Sequence, residues 1–351
     1  MQWKTTFQVA ATYVGAVMGA GFASGQEIQQ FFARFGRWGL AGIVVSAVLF
    51  SLLGWCMLDL QERWKITSYP EFFDHLLGRK WGRWADGLVS VLLFVGMLAM
   101  ISGSGALFHE YFGFSRWLGI FLTGSVIALA LWFRGEGVLW INSTLIPLKF
   151  IFCLGIAAAA IFLEASQEEV GTVVLQSPIV KNWVLSAVLY VSFNLTLAMV
   201  VFASLGRDVQ RPGARLGAVL GGVALGVFAF VIGAALLKFP DSIGLEIPMV
   251  AVAGKLGDWP AFFYVVVLWL AMITAAIGNG FSLVSRVVDT GRMSYRNTTL
   301  LLLLLLLPIA GVKFSMIVQL VYPLFGYVGL VFLPTIIYFW QKFRVQKRPF
   351  S

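Results

Sequence analysis

Ten apolar stretches, each near the length of a membrane-crossing helix, follow one another along this chain with short polar breaks between them. Crossing an apolar layer of about 30 Å takes about 20 helical residues. The stretches 6–33, 37–59, 84–109, 116–133, 139–163, 182–204, 212–238, 259–288, 297–312 and 316–340 reach or approach that length. In hydrocarbon every backbone N–H and C=O needs a partner inside the protein, which leaves helices or a closed barrel. Runs this long select helices. The predicted fold class is an all-α membrane protein of ten transmembrane helices, one domain over residues 1–351. Composition agrees, with 60% hydrophobic and 12% charged residues, against about 45–50% and about 25% in soluble domains. A water-soluble enzyme, a disordered chain and a coiled coil are excluded.

The net charge of +9 does not indicate nucleic acid, because the basic residues stand in short clusters between apolar stretches, a pattern of membrane topology. With ten spans and both termini on one side, 17 of the 25 Lys and Arg residues fall on that side, seven on the other, and Lys149 inside a span. The positive-inside rule then places both termini in the cytoplasm. Lys4 followed by an apolar run also has the outline of a cleaved leader, but the glycine-rich centre is a poor leader core. Cys56 and Cys153 lie in apolar runs, and His75 and His109 form no ligand cluster with them, so neither a disulfide framework nor a metal site is expected. No Walker, HExxH or GxSxG motif appears. No cofactor and no enzymatic activity are expected.

Two loops carry structure of their own. Ser68, Pro70 and Glu71 form a capping-box start for a short helix over Phe72, Phe73, Leu76 and Leu77, whose apolar side fits the inner membrane surface. Residues 248–256, closed by Gly257, read as a second short helix, either a cap over an outer vestibule or a passive connector. In the ninth span, Leu300 to Leu307 is an unbroken leucine run, which predicts peripheral scaffold.

The residues costly to keep in a membrane lie elsewhere. The first span contains Gly15, Gly19, Gly21 and Gly25, and each glycine costs a helix about 1 kcal/mol relative to alanine. Small residues spaced by four allow close helix packing. The same residues also permit an interrupted helix near Gly19 to Gly21, with free backbone groups and a half-helix amino terminus directed at an anionic group. Gln26 and Glu27 follow at once. A carboxylate this deep usually faces a cavity or a partner, so Glu27 is a proton carrier, a gate or a rim residue. The sixth span places Tyr190, Ser192, Phe193 and Asn194 near its centre, as part of a site or as an interhelical hydrogen bond. Lys149, about ten residues into the fifth span, is too deep for ordinary snorkelling and needs an acceptor, such as free carbonyls, Glu27 or Asn279. The eighth span supplies Thr274, Asn279, Ser282 and Ser285, which either line an ion path or bond their own helix.

A glycine-rich break in span one, polar residues at the middle of span six and a lysine in span five together resemble the amino acid–polyamine–cation superfamily. The wording GAGFASGQE is most similar to its YkvI-like bacterial branch. The resemblance implies the LeuT-type fold of two inverted five-helix repeats, here 1–165 and 180–341, and a secondary transporter for an amino acid or related small zwitterion. It implies that Gly19, Ala20, Gly21 and Phe22 are the unwound part of helix one, their amides holding a substrate carboxylate. Ser192, Phe193 and Asn194, with Tyr190 beside them, are implied as the matching part of helix six and the acceptors of an ammonium group. Helix six lacks the glycine often found at its break. Lys149 matches a helix-five lysine that stands where sodium sits in relatives, with Asn279 nearby, which favours H⁺ over Na⁺ as coupling ion. Glycines in span two (Gly36, Gly39, Gly42) and span seven (Gly217, Gly221, Gly222, Gly226) then allow a tight 1–2–6–7 bundle. The implied partners are a small amino-acid-like solute and the lipid bilayer, with no nucleic acid. A solute sensor of the same fold without net transport is the competing expectation.

Overall fold

The computed structural model describes residues 2–66, 68–133, 150–163, 179–204, 212–289, 291 and 293–345, all of them helix or connection, with no strand among the described residues. The first apolar stretch is not one helix. It runs as α1 (Gln2–Val17), the single turn α2 (Ala20–Ala23) and α3 (Gln26–Phe31). Then come α4 (Arg37–Trp64), the short α5 (Tyr69–Leu77), α6 (Arg79–Phe112) and α7 (Arg116–Trp132). The described part of the fifth stretch is α8 (Phe150–Phe162); its predicted start at 139 lies outside the described residues. The second half holds α9 (Trp183–Ser204), α10 (Ala214–Lys238), α11 (Pro248–Gly254), α12 (Asp258–Asp289), α13 (Tyr295–Ile309), α14 (Phe314–Met316), α15 (Tyr322–Gly329) and α16 (Phe332–Val345). Among the described residues six helical segments are long and apolar enough to cross a membrane: 37–64, 79–112, 183–203, 214–238, 258–289 and 314–344. This is a multi-pass, all-α membrane protein.

Two groups of helices organise it. In one, α1, α4, α9 and α10 pack on one another; in the other, α6, α7, α12 and α13 do. The first group is close because it is glycine-lined. A Cβ at Gly217 would strike Val9 and the Thr6 carbonyl, one at Gly221 would meet Tyr13, and one at Gly222 would meet the Ser51 backbone. Gly39 and Gly42 meet Phe32 in the same way. Gly36 does not belong to that set: it has φ 59° at the start of α4, with open space around its Cα, so it turns the chain rather than packing it. Tyr13 sits at the centre, buried, its hydroxyl donating to the Phe50 carbonyl at 3.1 Å.

The leucine run behaves as peripheral scaffold: Leu300, Leu301, Leu304 and Leu305 are exposed, while Leu302, Leu303 and Leu306 are buried. The short helix α5 differs from expectation. Phe72, Phe73 and Leu76 are buried within the protein, with Phe73 against Phe332 and Phe72 against Trp64. Its apolar side is spent on neighbouring helices. Charged pairs collect at the two ends of the bundle, Arg215 with Asp59 and Glu62 at one and Arg116 with Glu246 and Lys255 with Asp241 at the other.

Candidate functional site

The first span breaks twice, and the two breaks are satisfied differently. At the first, Met18 and Gly19 leave helical geometry, and the Gly19 amide turns back only to the Val17 carbonyl, at 2.9 Å. No helical hydrogen bond crosses these two residues. The amides of Ala20, Gly21 and Phe22 and the carbonyls of Gly15 and Ala16 have therefore lost their intrahelical partners. At the second, Gly25 adopts φ 81°, a left-handed value that glycine alone takes without strain. Here the protein supplies partners. Tyr264 donates to the Ala23 carbonyl at 2.5 Å, the Met249 amide to the Ser24 carbonyl at 3.0 Å, and the Ser24 hydroxyl to the Gly21 carbonyl at 2.9 Å. The second break is closed by side chains and α11; among the described residues nothing closes the first.

The unwinding expected over Gly19 to Phe22 thus needs correction in extent. Gly19 lies in it, with Met18, whereas Ala20, Gly21 and Phe22 form the helical turn that follows, their amides facing the gap.

The short α3 is buried on every face: Gln26, Glu27, Gln29 and Gln30 are all inaccessible or nearly so. The Glu27 carboxylate folds back on Gly21, so closely that a Cβ there would collide with it. Glu27 is 4% exposed. The Tyr190 hydroxyl of α9 lies beside the carboxylate without closing a well-formed bond, since Glu27 Oε2 and the Tyr190 hydroxyl both lack a geometric partner. Gln26 Nε2 and Gln30 Oε1 are unpartnered too. Buried polar atoms in native proteins are normally satisfied, so the orphaned Glu27 Oε2 and Tyr190 hydroxyl, with two more orphans on α3, mark a place where something else binds.

Tyr322, within electrostatic range of Glu27, enters from the last span, which is distorted there. Residues Ile317–Val321 form a π-helix, immediately before Pro323, which has no amide to give to the preceding turn. Phe193 stacks on Tyr322, with ring centroids 4.5 Å apart, and Tyr190 is ringed by Phe31, Phe32 and Phe50 at 5.1, 5.0 and 5.9 Å. Beside Tyr190 the side chains of Phe22, Phe50 and Leu225 meet in an apolar seam nowhere wide enough for a water molecule.

The sixth span departs from what the resemblance implies. α9 is continuous from Trp183 to Ser204. The Asn194 amide donates to the Tyr190 carbonyl one turn back at 3.0 Å, and the Ser192 hydroxyl donates to the Gly326 carbonyl of α15 at 2.7 Å. With no break, α9 frees no carbonyl for an ammonium group. Of its four candidates, Tyr190 lies beside Glu27, Phe193 stacks on Tyr322, Ser192 bonds Gly326 and the Asn194 amide bonds its own helix.

Lys149 lies outside the described residues. Asn279 of α12 packs against Gly96 of α6, while Thr274 and Ser282 donate to carbonyls of their own helix. Thr274 and Ser282 thus follow the second of the two readings, hydroxyls that bond their own helix.

A set of residues at the end of the bundle away from Gln2 was not visible in the sequence. The Glu110 carboxylate accepts from the Glu246 and Ile247 amides at 2.8 and 3.0 Å, and Glu246 pairs with Arg116. Gln29 donates to the Leu245 carbonyl at 3.3 Å and accepts from the Gly244 amide at 3.1 Å. The strap 244–249 is thereby tied to both the α6–α7 corner and α3, across the second break.

No family profile matches the chain. It is 30% identical to the Bacillus subtilis membrane protein YkvI over 327 residues, 93% of each chain, and 30% identical to the Bacillus subtilis protein YyaD over 339 residues, 95% of this chain and 96% of that one. Among solved structures it is similar to inward-facing Mhp1 (TM-score 0.62, 14% identity, 94% of this chain and 75% of that one) and to a Na⁺-coupled sialic acid symporter (TM-score 0.57, 13% identity, 93% and 77%). It is also similar to the Eremococcus coleocola manganese transporter (TM-score 0.52, 15% identity, 96% and 78%). The fold is therefore of the LeuT type, and its structural neighbours are transporters.

Proposed function

The chain belongs to the YkvI-like family of membrane proteins, and we propose that it is a secondary transporter carrying an amino acid or related small zwitterion across the bacterial cytoplasmic membrane by alternating access. The observation that carries this is the opened backbone at Met18 and Gly19. A buried, unpaired stretch of main chain persists only where another group completes it. The neighbours of this fold are named for sialic acid and manganese, so the solute class comes from the site rather than the fold. Free amides at Ala20 to Phe22 fit a carboxylate. Rocking of α1, α4, α9 and α10 against the other group exposes the site to one side and then the other, the halves 1–165 and 180–341 acting as inverted repeats.

Coupling to H⁺ rather than Na⁺ rests on Lys149, whose ammonium repels sodium. Lys149→Ala is expected to abolish uphill uptake into liposomes while solute binding survives; uphill transport retained in that variant removes the lysine from the mechanism. Flux of amino acids into liposomes containing the purified protein, driven by an imposed proton gradient without Na⁺, tests transport itself. Binding with no flux under any gradient assigns the chain to solute sensing instead.

A further inference from the structure

We propose that Glu27 anchors the ammonium group of the solute, so that the solute class is a primary amine or an apolar amino acid whose amine is the indispensable recognition element. The proposal rests on the solute binding at the first break, as above, but not on its being transported. Four observations lead to it.

The first is the loss of the expected acceptor. α9 is unbroken, Asn194 bonds its own helix and Ser192 bonds Gly326, so the sixth span frees no backbone carbonyl for a positive group. The second is the carboxylate itself. Glu27 is buried, its Oε2 is unpartnered, and among the described residues no Lys, Arg or His forms an ion pair with it. A carboxylate at this depth stays ionised only beside a hydrogen-bonded cation that offsets the cost of its charge.

The third is what surrounds it. An ammonium has three protons to give, and two acceptors unpartnered among the described residues lie side by side, Glu27 Oε2 and the Tyr190 hydroxyl oxygen, with Gln30 Oε1, also unpartnered, one turn along α3. The Tyr190 ring and those of Phe31, Phe32 and Phe50 make the wall aromatic, which favours a cation over an anion. The fourth is the adjoining apolar wall of Phe22, Phe50 and Leu225. A short hydrocarbon skeleton held by its amine at Glu27 would pack on that wall. Because the Glu27 carboxylate rests against Gly21, an acid lacking an amine meets like-charge repulsion at the very amides that attract it.

Three compounds with one skeleton separate these terms: leucine, 3-methylbutylamine (leucine without its carboxylate) and 4-methylpentanoate (leucine without its amine). Binding is measured by titration calorimetry on the purified full-length protein. Leucine and 3-methylbutylamine are expected to bind and 4-methylpentanoate not to. Glu27→Gln is expected to weaken both amines by about tenfold or more, the loss of one buried charge pair. Tyr190→Phe, which keeps the ring and removes one acceptor, is expected to weaken them by about threefold to tenfold. The proposal is overturned if 4-methylpentanoate binds as well as the amine, if Glu27→Gln stays within about threefold of wild type, or if neither amine binds. Where Glu27→Gln does not fold, unchanged amine affinity in Tyr190→Phe overturns it. Amine binding without liposome flux leaves the proposal standing and removes transport; leucine flux indifferent to Glu27→Gln removes the proposal alone.

Discussion

The first and sixth spans carry polar residues at similar depth, yet one opens and the other does not. In the first, Gly19 and Gly25 stand at breaks in the helix, and Gly25 holds φ 81°. In the sixth, a polar run of the same order has no glycine, and α9 continues through it. Polar side chains by themselves do not unwind a helix in a low-dielectric interior. They bond the nearest free acceptor, as Asn194 does with the carbonyl four residues back. Glycine changes the backbone's options, and the side chains then decide whether the freed groups are covered. At Ser24 and Gly25 they are covered; at Met18 and Gly19 no described residue covers them.

The largest effect that sharpens this contrast is at Gly25. Any other residue there must hold a left-handed φ, and a Cβ would lie 2.7 Å from Met249 Cγ. Gly25→Ala is expected to cost about 2–3 kcal/mol, read as loss of stability in detergent unfolding, with release of α11 from Ser24. A variant as stable as wild type would show that the covered break is not needed to hold the span.

Gly21→Ala is expected to separate stability from binding. Its Cβ would meet the Glu27 carboxylate, the far end of a flexible side chain, which can move aside. Stability is expected to stay within about 1 kcal/mol, while affinity for 3-methylbutylamine falls by about tenfold because the anchor is displaced. Unchanged affinity there detaches Glu27 from the solute.

How far these features were legible in the sequence follows from how local their causes are. The spans were legible because length and apolarity are local, and the first break because glycine spacing is. The sixth span misled because its side chains have partners that sequence does not display. The Ser192 partner, the Gly326 carbonyl, is 134 residues away. The same holds for Glu110, whose carboxylate caps amides at Glu246 and Ile247, and for Tyr322, brought to Glu27 by a π-helix that only the nearby Pro323 foreshadows. Gly36 reads as a packing glycine from its spacing with Gly39 and Gly42, but its positive φ comes from the turn that starts α4. Glycine spacing reports permission to approach or to turn, and tertiary context chooses between them.

The smallest expected effect gives the comparison its sharpest edge. Asn194 lies in the sixth span at the position the family resemblance assigns to the solute, yet its amide is bonded within α9. Removing it by Asn194→Ala loses one intrahelical side-chain bond, worth about 0.5–1 kcal/mol in a membrane interior, and leaves every atom around Glu27 in place. Amine affinity is therefore expected to remain within about twofold of wild type, and the same holds for Ser192→Ala. A tenfold loss in either variant would mean that α9 opens when the solute binds, giving up its internal bonds to supply acceptors. The difference between the two spans would then belong to one state of the cycle and not to the sequence.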